Sequence, residues 1–324
     1  MKDKVRWGVM GLGKIAHKFV HDLQLSNKAI LQGVASRDLA KAREFSLKYP
    51  SVHHYGSYEE LASDPSIDVI YVATPHVFHF ENTMMCLQHG KSVLCEKPMG
   101  MNAKEVATMI AEAKRRNLFL MEGMWTRFIP AIEKLIELLD KKVIGDLISV
   151  HADFGFKGDF NLQGRVYNKS LGGGALLDIG IYPIYLSLLV FGVPGTVKAM
   201  ARMMETDVDS FCAMLFDYNN AGKAVLECTL EAETPTEAFI YGSTGSLKLH
   251  NRFHHTQRIS WYQGKEVKEV FEIPYDGNGY GYEIEEANKC VKNKWTESKK
   301  LPHQMSLDLA SVMERVRGEI GLVY

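Results

Sequence analysis

Along the first third of the chain, short β-prone apolar runs alternate with longer stretches in which apolar residues recur every three or four positions. The order is "VRWGVMG", "KIAHKFVHDLQL", "AILQGVASRD" and "LAKAREFSLKY". That rhythm predicts βαβ units and a parallel sheet. Val69 to Ala73 is almost wholly apolar, as expected of a strand buried on both faces, and a helix is expected from about Phe78 to His89. "KSVLCEKP" supplies the next strand, a helix follows over Ala103 to Arg116, and "LFLMEG" is another short strand. After Gly123 the rhythm changes. A helix near "AIEKLIELLDKK" precedes long β-prone segments, and Gly or Asn in "NNAGKAVLECTL" and "YGSTGSLKLH" reads as hairpins in a mainly antiparallel sheet. Near the end "GYEIEEANKCVKNK" and "SLDLASVMERVRGEI" return to helical spacing, with Leu309, Val312, Met313 and Val316 on one face. The expected class is α/β: an N-terminal Rossmann dinucleotide-binding domain over residues 1–122 and a C-terminal α+β domain over 123–324.

Composition narrows the functional classes. The 324 residues are 46% hydrophobic and 24% charged, which supports a folded core. Lys plus Arg number 38 against 39 Asp plus Glu, so no global field draws the chain to nucleic acid or an anionic membrane. Five scattered cysteines form no C-x-x-C pair, which favours a reducing compartment, and the cytoplasm is the expected location. The start "MKDKVRWGVMGLG" has no signal-peptide apolar region, and no membrane partner is expected.

Chemistry concentrates at the predicted strand ends. "VMGLGKIA" places Gly11, Gly13 and Ala16 in a G-x-G-x-x-A pattern between a strand and a helix. Gly11 allows the tight turn, Gly13 lets backbone approach a pyrophosphate, and the helix opened by Lys14 and Ile15 presents free N–H groups to the anion. At the second strand's tip, Ser36 and Arg37 stand where an acidic residue would select NAD, offering a hydroxyl and a guanidinium to a 2′-phosphate. NADP is therefore expected, with NAD as the alternative; Asp38 reads as a helix N-cap. In "VLCEKPMG", Glu96, Lys97 and Pro98 fall at the carboxyl end of a strand, where open α/β sheets bind ligands. Pro98 restricts Lys97 to extended backbone, a cis Lys97–Pro98 bond is open, and Glu96 either orients Lys97 or contacts the cofactor. A surface ion pair beside a turn proline is the plainer alternative.

"GLGKIA", "VATPHVFHF" and "CEKPMG" together resemble the Gfo/Idh/MocA oxidoreductases. "GGGALLDIGIYPIYLSLLVFG" is similar to that family's segment carrying an aspartate and, four residues on, a catalytic histidine or its substitute; here these are Asp178 and Tyr182. With "SRD" and "LFLMEGMWTRF", the tyrosine makes the chain most similar to the family's dimeric dihydrodiol dehydrogenase branch. The resemblance implies a nicotinamide cofactor on the first domain and substrate held against the second domain's large open sheet, which also pairs in a homodimer. It implies hydride transfer between a secondary alcohol (a trans-dihydrodiol, an aldose or a related polyol) and the nicotinamide, with Tyr182 transferring the proton and Lys97 acting electrostatically, or the reverse. Asp178 then holds substrate or orients Tyr182; a helix N-cap is its ordinary reading. Thr74 and Pro75 line the nicotinamide side, with His76 departing from the family's usual asparagine, and His79 is either a cofactor neighbour or a structural histidine. Trp125, Arg127 and Phe154 are implied in the substrate pocket, with packing as the ordinary role for the aromatics. The alternatives are an NAD-dependent inositol or sugar dehydrogenase and a catalytically silent nicotinamide-sensing regulator.

Other signals carry less. His17 and His21 sit four apart without a third ligand, so no metal is expected. His53–His54 and His254–His255 are adjacent pairs and read as surface residues.

Overall fold

The computed structural model describes residues 4–324. The chain forms two compact units, one of residues 1–125 and 276–307, the other of 126–275 and 308–324.

In the first unit, strands β1 (Val5–Met10), β2 (Ala29–Ala35), β3 (His53–Tyr55), β4 (Val69–Val72), β5 (Ser92–Glu96) and β6 (Leu120–Gly123) form one parallel sheet in the order β3-β2-β1-β4-β5-β6. Helices α1 (Lys14–Leu25), α2 (Leu39–Lys48), α3 (Tyr58–Ser63), α4 (His79–Gln88) and α5 (Ala103–Arg116) join the strands. This is the doubly wound nucleotide-binding order, with its topological switch between β1 and β4. Local chemistry sets the element ends. Asp38 caps α2, accepting from the N–H groups of Ala40 at 2.9 Å and Lys41 at 3.4 Å, and Asn102 caps α5 through the Glu105 N–H at 2.8 Å. Asn117 closes α5 in the left-handed conformation. All four β4 residues are buried, as the apolar run requires.

The second unit carries α6 (Pro130–Asp140), β7 (Leu147–Gly155), α7 (Ile181–Phe191), β8 (Thr196–Met203), β9 (Asp209–Asp217), β10 (Lys223–Thr229), β11 (Ala238–Gly242), β12 (Ser246–Leu249), β13 (Arg258–Gln263) and β14 (Glu266–Glu272). Its eight strands run β14-β13-β12-β11-β7-β10-β9-β8, antiparallel except for the parallel β7–β10 pair. The two predicted hairpins are β9–β10 and β11–β12. Strand β10 shows why one face is covered: Ala224, Leu226 and Cys228 are buried while Lys223 and Val225 are exposed. The apolar run over Lys169–Phe191 is long enough to cross a membrane, but 78% of its most apolar window is buried inside the unit, as for a core helix.

The segment from Asp276 to Leu307, with α8 (Gly281–Lys292) and the start of α9 (His303–Ile320), belongs to the first unit. The expected division into 1–122 and 123–324 does not anticipate this return. Its cause is polar. The buried Asp22 carboxylate accepts from the N–H groups of Asn278 and Tyr280 at 2.9 Å, and Trp7 Nε1 donates to Asn288 at 2.9 Å. These pairings join residues some 260 to 280 positions apart, beyond the reach of any local pattern.

Candidate active site

The dinucleotide site begins at the β1–α1 turn. Gly11 has φ +89°, and a Cβ there would meet the Ala73 carbonyl at 2.8 Å, so neither the conformation nor the space admits a side chain. A Cβ on Gly13 would meet nothing within 4 Å, leaving open room beside the backbone. Gly13 caps α1 without a side chain, and no acidic residue stands in the first turn. The amino end of α1, with Lys14 and Ile15 leading, thus keeps its positive dipole for an anion, and these residues fit a dinucleotide pyrophosphate.

At the end of β2, Arg37 is exposed, with its guanidinium carbon 5.7 Å from the Phe78 ring centroid. Ser36 Oγ accepts the Asp38 N–H at 3.2 Å, while the Asp38 carboxylate is occupied by its helix cap.

The ends of β4 and β5 are tied together by His79. Its ring is wholly buried, with Nδ1 2.7 Å from the Pro98 carbonyl and Nε2 2.7 Å from that of Thr74. The Asn82 side chain donates to Thr74 Oγ1 at 3.2 Å. His79 therefore touches backbone at both nitrogens, while Pro75 is only partly buried beside it. His76 is also buried, 5.7 Å from His79 between ring centroids. Lys97–Pro98 is a cis peptide.

Glu96 is buried, receives the Tyr71 hydroxyl on Oε1 and accepts the Lys97 N–H on Oε2 at 3.2 Å. Burial, followed by the Glu96 charge, holds the Tyr71 phenol well above its usual range. Two further buried carboxyls share this neighbourhood. Glu122 Oε1 accepts the Met99 N–H at 2.9 Å. Burial pushes its carboxyl up to about 7, against the pull of Ser306, the Met99 N–H and the Lys97 charge. Glu283 is fully buried; burial, then the charges of Glu96 and Asp22, raises it well above the carboxylate range. A glutamate inside the otherwise apolar "LFLMEG" strand was a legible signal for Glu122. Glu283 gave none, because acidic residues are ordinary on a helix. Trp125, also in this unit, is buried and stacks on Tyr280 at 4.6 Å.

In the second unit the implied residues gather around α7. Tyr182 is 6% exposed, its ring centroid 5.7 Å from Phe154 on β7 and 4.7 Å from His254. Phe154 and His254 stack at 4.5 Å. The surface reading of His254 is corrected, since it is 6% exposed. It lies in the short 3₁₀ turn Phe253–His255, where adjacent side chains follow neither strand nor helix spacing. His53 and His54 are exposed, as expected.

The N-cap reading of Asp178 is also corrected. Asp178 lies within a π-helical turn, Leu176–Gly180, that runs directly into α7. Pro183 has no N–H for the Ile179 carbonyl, so the ordinary helical ladder cannot pass through this point. Asp178 pairs with Arg165 at 2.9 Å, a partner thirteen residues away that the sequence did not single out. Arg127 is engaged with Glu133 at 2.7 Å. Lys97 thus sits in the first unit with Glu96, and Tyr182 in the second with Phe154 and His254. Among the described residues no cluster of three or more His, Cys, Asp or Glu could hold a metal.

Comparison with known proteins identifies the family and the fold. Residues 5–124 match the model of an oxidoreductase family with an NAD-binding Rossmann fold, and residues 132–248 match the GFO/IDH/MocA C-terminal domain. The trans-1,2-dihydrobenzene-1,2-diol dehydrogenase of Danio rerio is 39% identical over 99% of this chain and 98% of that enzyme. The Homo sapiens enzyme of that name is 38% identical over 99% and 98%. Among solved structures, a 3-ketoreductase from Actinomadura kijaniata in complex with NADP and TDP-benzene superposes with a TM-score of 0.88 at 26% identity, covering 98% of both chains. An aldose-aldose oxidoreductase from Caulobacter crescentus shares the fold at 21% identity, with a TM-score of 0.88 over 98% and 97% of the two chains. The chain belongs to the GFO/IDH/MocA family of nicotinamide-dinucleotide-dependent oxidoreductases.

Proposed function

We propose that this oxidoreductase transfers hydride between NADP and a secondary alcohol of the trans-dihydrodiol class, or a related aldose or polyol. The observation that carries the reading is Lys97, held through its backbone by Glu96 at the carboxyl end of β5, where open α/β sheets bind their ligands. Bound NADP supplies the hydride acceptor. The residues must then manage one proton and one developing charge.

Tyr182 takes the proton from the substrate hydroxyl. A phenol with an ordinary pKa of about 10 is a weak base at neutral pH, and a nearby ammonium lowers the cost of its phenolate. Lys97 supplies that ammonium and also stabilises the alkoxide as hydride departs. The solved structures of the Actinomadura ketoreductase include single replacements of one lysine and of one tyrosine, the two residue types assigned here. Phe154 and His254 hold the Tyr182 ring, and a flat aromatic wall suits a cyclic diol. Asp178, anchored by Arg165, orients substrate or tyrosine. Trp125 and Arg127 are assigned to substrate selection, and Thr74, Pro75 and His79 to the nicotinamide end.

NADP is favoured over NAD because Arg37 is exposed at the β2 tip and the Asp38 carboxylate is engaged elsewhere. The protein works as a homodimer through the outer face of its eight-stranded sheet. That face carries a groove of about 810 Å³ lined by Ala199, Met200, Leu215, Val225 and Phe239 among others, with Met200 79% exposed.

Initial rates at the reduced-nicotinamide absorbance band, with NADP and NAD tested separately against dihydrodiols, aldoses and inositols, test the reading. Turnover with NADP on a diol or aldose is expected. Turnover confined to NAD and inositol would replace it, and tight cofactor binding without turnover on the panel would favour a sensing role.

A further inference from the structure

The helical run that carries Asp178 and Tyr182 is not anchored where its own ladder would anchor it. The first N–H groups of a helix lack partners within the helix and need acceptors from elsewhere. Here the Leu176 N–H, at the start of the π turn, donates to Asp209 Oδ2 at 2.7 Å. Asp209 opens β9, is fully buried, and reaches this amide from 33 residues away in sequence. Its other oxygen, Oδ1, has no hydrogen-bond partner among the described residues. The chain is shaped to admit this carboxylate. Gly174 has φ +109°, and a Cβ there would lie 2.4 Å from Asp209 Oδ1. Tyr324 donates its hydroxyl to the Gly173 carbonyl beside it.

We propose that Asp209 is a positioning residue whose carboxylate sets the amino end of the Asp178–Tyr182 helical run, and through it the place from which Tyr182 transfers its proton. The inference rests on the reading in which Tyr182 performs that transfer. An outside anchor has a place here: Pro183 removes the bond that would tie α7 back to the Ile179 carbonyl inside the π turn, and the Leu176 amide at the amino end of the run takes its acceptor from Asp209.

The anchor is also responsive to pH. Burial pushes the Asp209 carboxyl up to about 7, against the pull of the Leu176 N–H. The titratable groups that feel its charge are Cys228 on the sheet, itself paired with Cys212, and Tyr324 from the C-terminal segment, which has Arg317 over its ring and also feels Asp178 on the run itself. Above this midpoint the acceptor is a charged carboxylate; below it the acceptor is a neutral carboxylic acid, which binds the amide more weakly.

The test uses the full chain with NADP and trans-1,2-dihydrobenzene-1,2-diol, comparing wild type, Asp209→Asn, Asp209→Ala and Tyr182→Phe between pH 6 and pH 8.5. Asp209→Asn keeps an acceptor for Leu176 but never becomes charged. It should retain the wild-type NADP dissociation constant and KM while kcat falls about fivefold at pH 8. The wild-type to Asn ratio in kcat should shrink towards one at pH 6. Asp209→Ala should lose more at every pH; if it fails to fold, the Asn series carries the test. Wild-type kcat in Asp209→Asn at pH 8, or a loss equal at pH 6 and pH 8 that follows a lowered melting temperature, overturns the inference. If Tyr182→Phe loses turnover while Asp209→Asn does not, the inference alone falls. Undiminished turnover in Tyr182→Phe removes the reading beneath it, and the inference falls with that reading.

Discussion

Replacing Glu122 with glutamine probes the electrostatics beneath the Lys97 strand end. Glu122 is 3% exposed and burial moves its carboxyl from 4.5 to about 7, so the folded chain keeps a proton that the unfolded chain has released across that window. With the folded-state pKa raised, the stabilising contribution is complete below about 4.5 and is lost as pH rises through about 7. At about 1.4 kcal/mol per unit of displacement, the full effect is on the order of 3 kcal/mol. Glutamine is neutral throughout and retains an acceptor for the Met99 N–H. The gain in stability of Glu122→Gln over wild type should therefore be larger at pH 8 than at pH 5, by about 2–3 kcal/mol. Asp209 and Glu283 shift the same way, but they are common to both proteins and cancel in the difference. Thermal melts of the full chain at the two pH values read the effect directly: the variant should melt several degrees higher at pH 8 and only slightly higher at pH 5. A shift of the same size at both values would refute the reasoning, because it would place the titration of Glu122 outside this window.

Arg37→Ala should raise KM for NADP at least tenfold and leave KM for NAD unchanged, as expected when one guanidinium–phosphate contact is removed; initial rates with each cofactor check this. Phe154→Ala removes a ring against both Tyr182 and His254, and should lower kcat/KM for the diol about tenfold with cofactor binding retained, measured by nucleotide fluorescence beside the kinetics. The double variant Met200→Glu, Leu215→Glu puts charge on the exposed sheet face and should convert a dimer into a monomer. Light scattering at micromolar concentration should give twice the chain mass for wild type, and a monomer mass there would reject the pairing.

The parts legible in the sequence were those written by local chemistry. The Gly11–Gly13 turn, the Asp38 cap and the α5 helix, bounded by Asn102 and Asn117, each follow from a few adjacent residues and their backbone preferences. The two hairpins followed from Gly and Asn between β-prone runs. What escaped depends on partners far away in the chain. Asp22 recruits the segment after Asp276, so no single cut separates the units. His254 is buried because Phe154 and Tyr182 meet it from other elements, which adjacency to His255 could not reveal. Asp178 had the look of an N-cap, but it lies inside a π turn whose first amide is bonded to Asp209, with Arg165 as a side-chain partner. Buried charge was the least legible property, since a glutamate on α8 reads as solvated until Glu283 is found wholly enclosed.

The most direct measurement is the initial rate of NADP reduction with trans-1,2-dihydrobenzene-1,2-diol for wild type, Lys97→Ala and Tyr182→Phe, with NADP dissociation constants determined for each. The proposed chemistry requires wild-type turnover, and a loss of at least a hundredfold in kcat in both variants with NADP still bound. Undiminished kcat in both variants would contradict it.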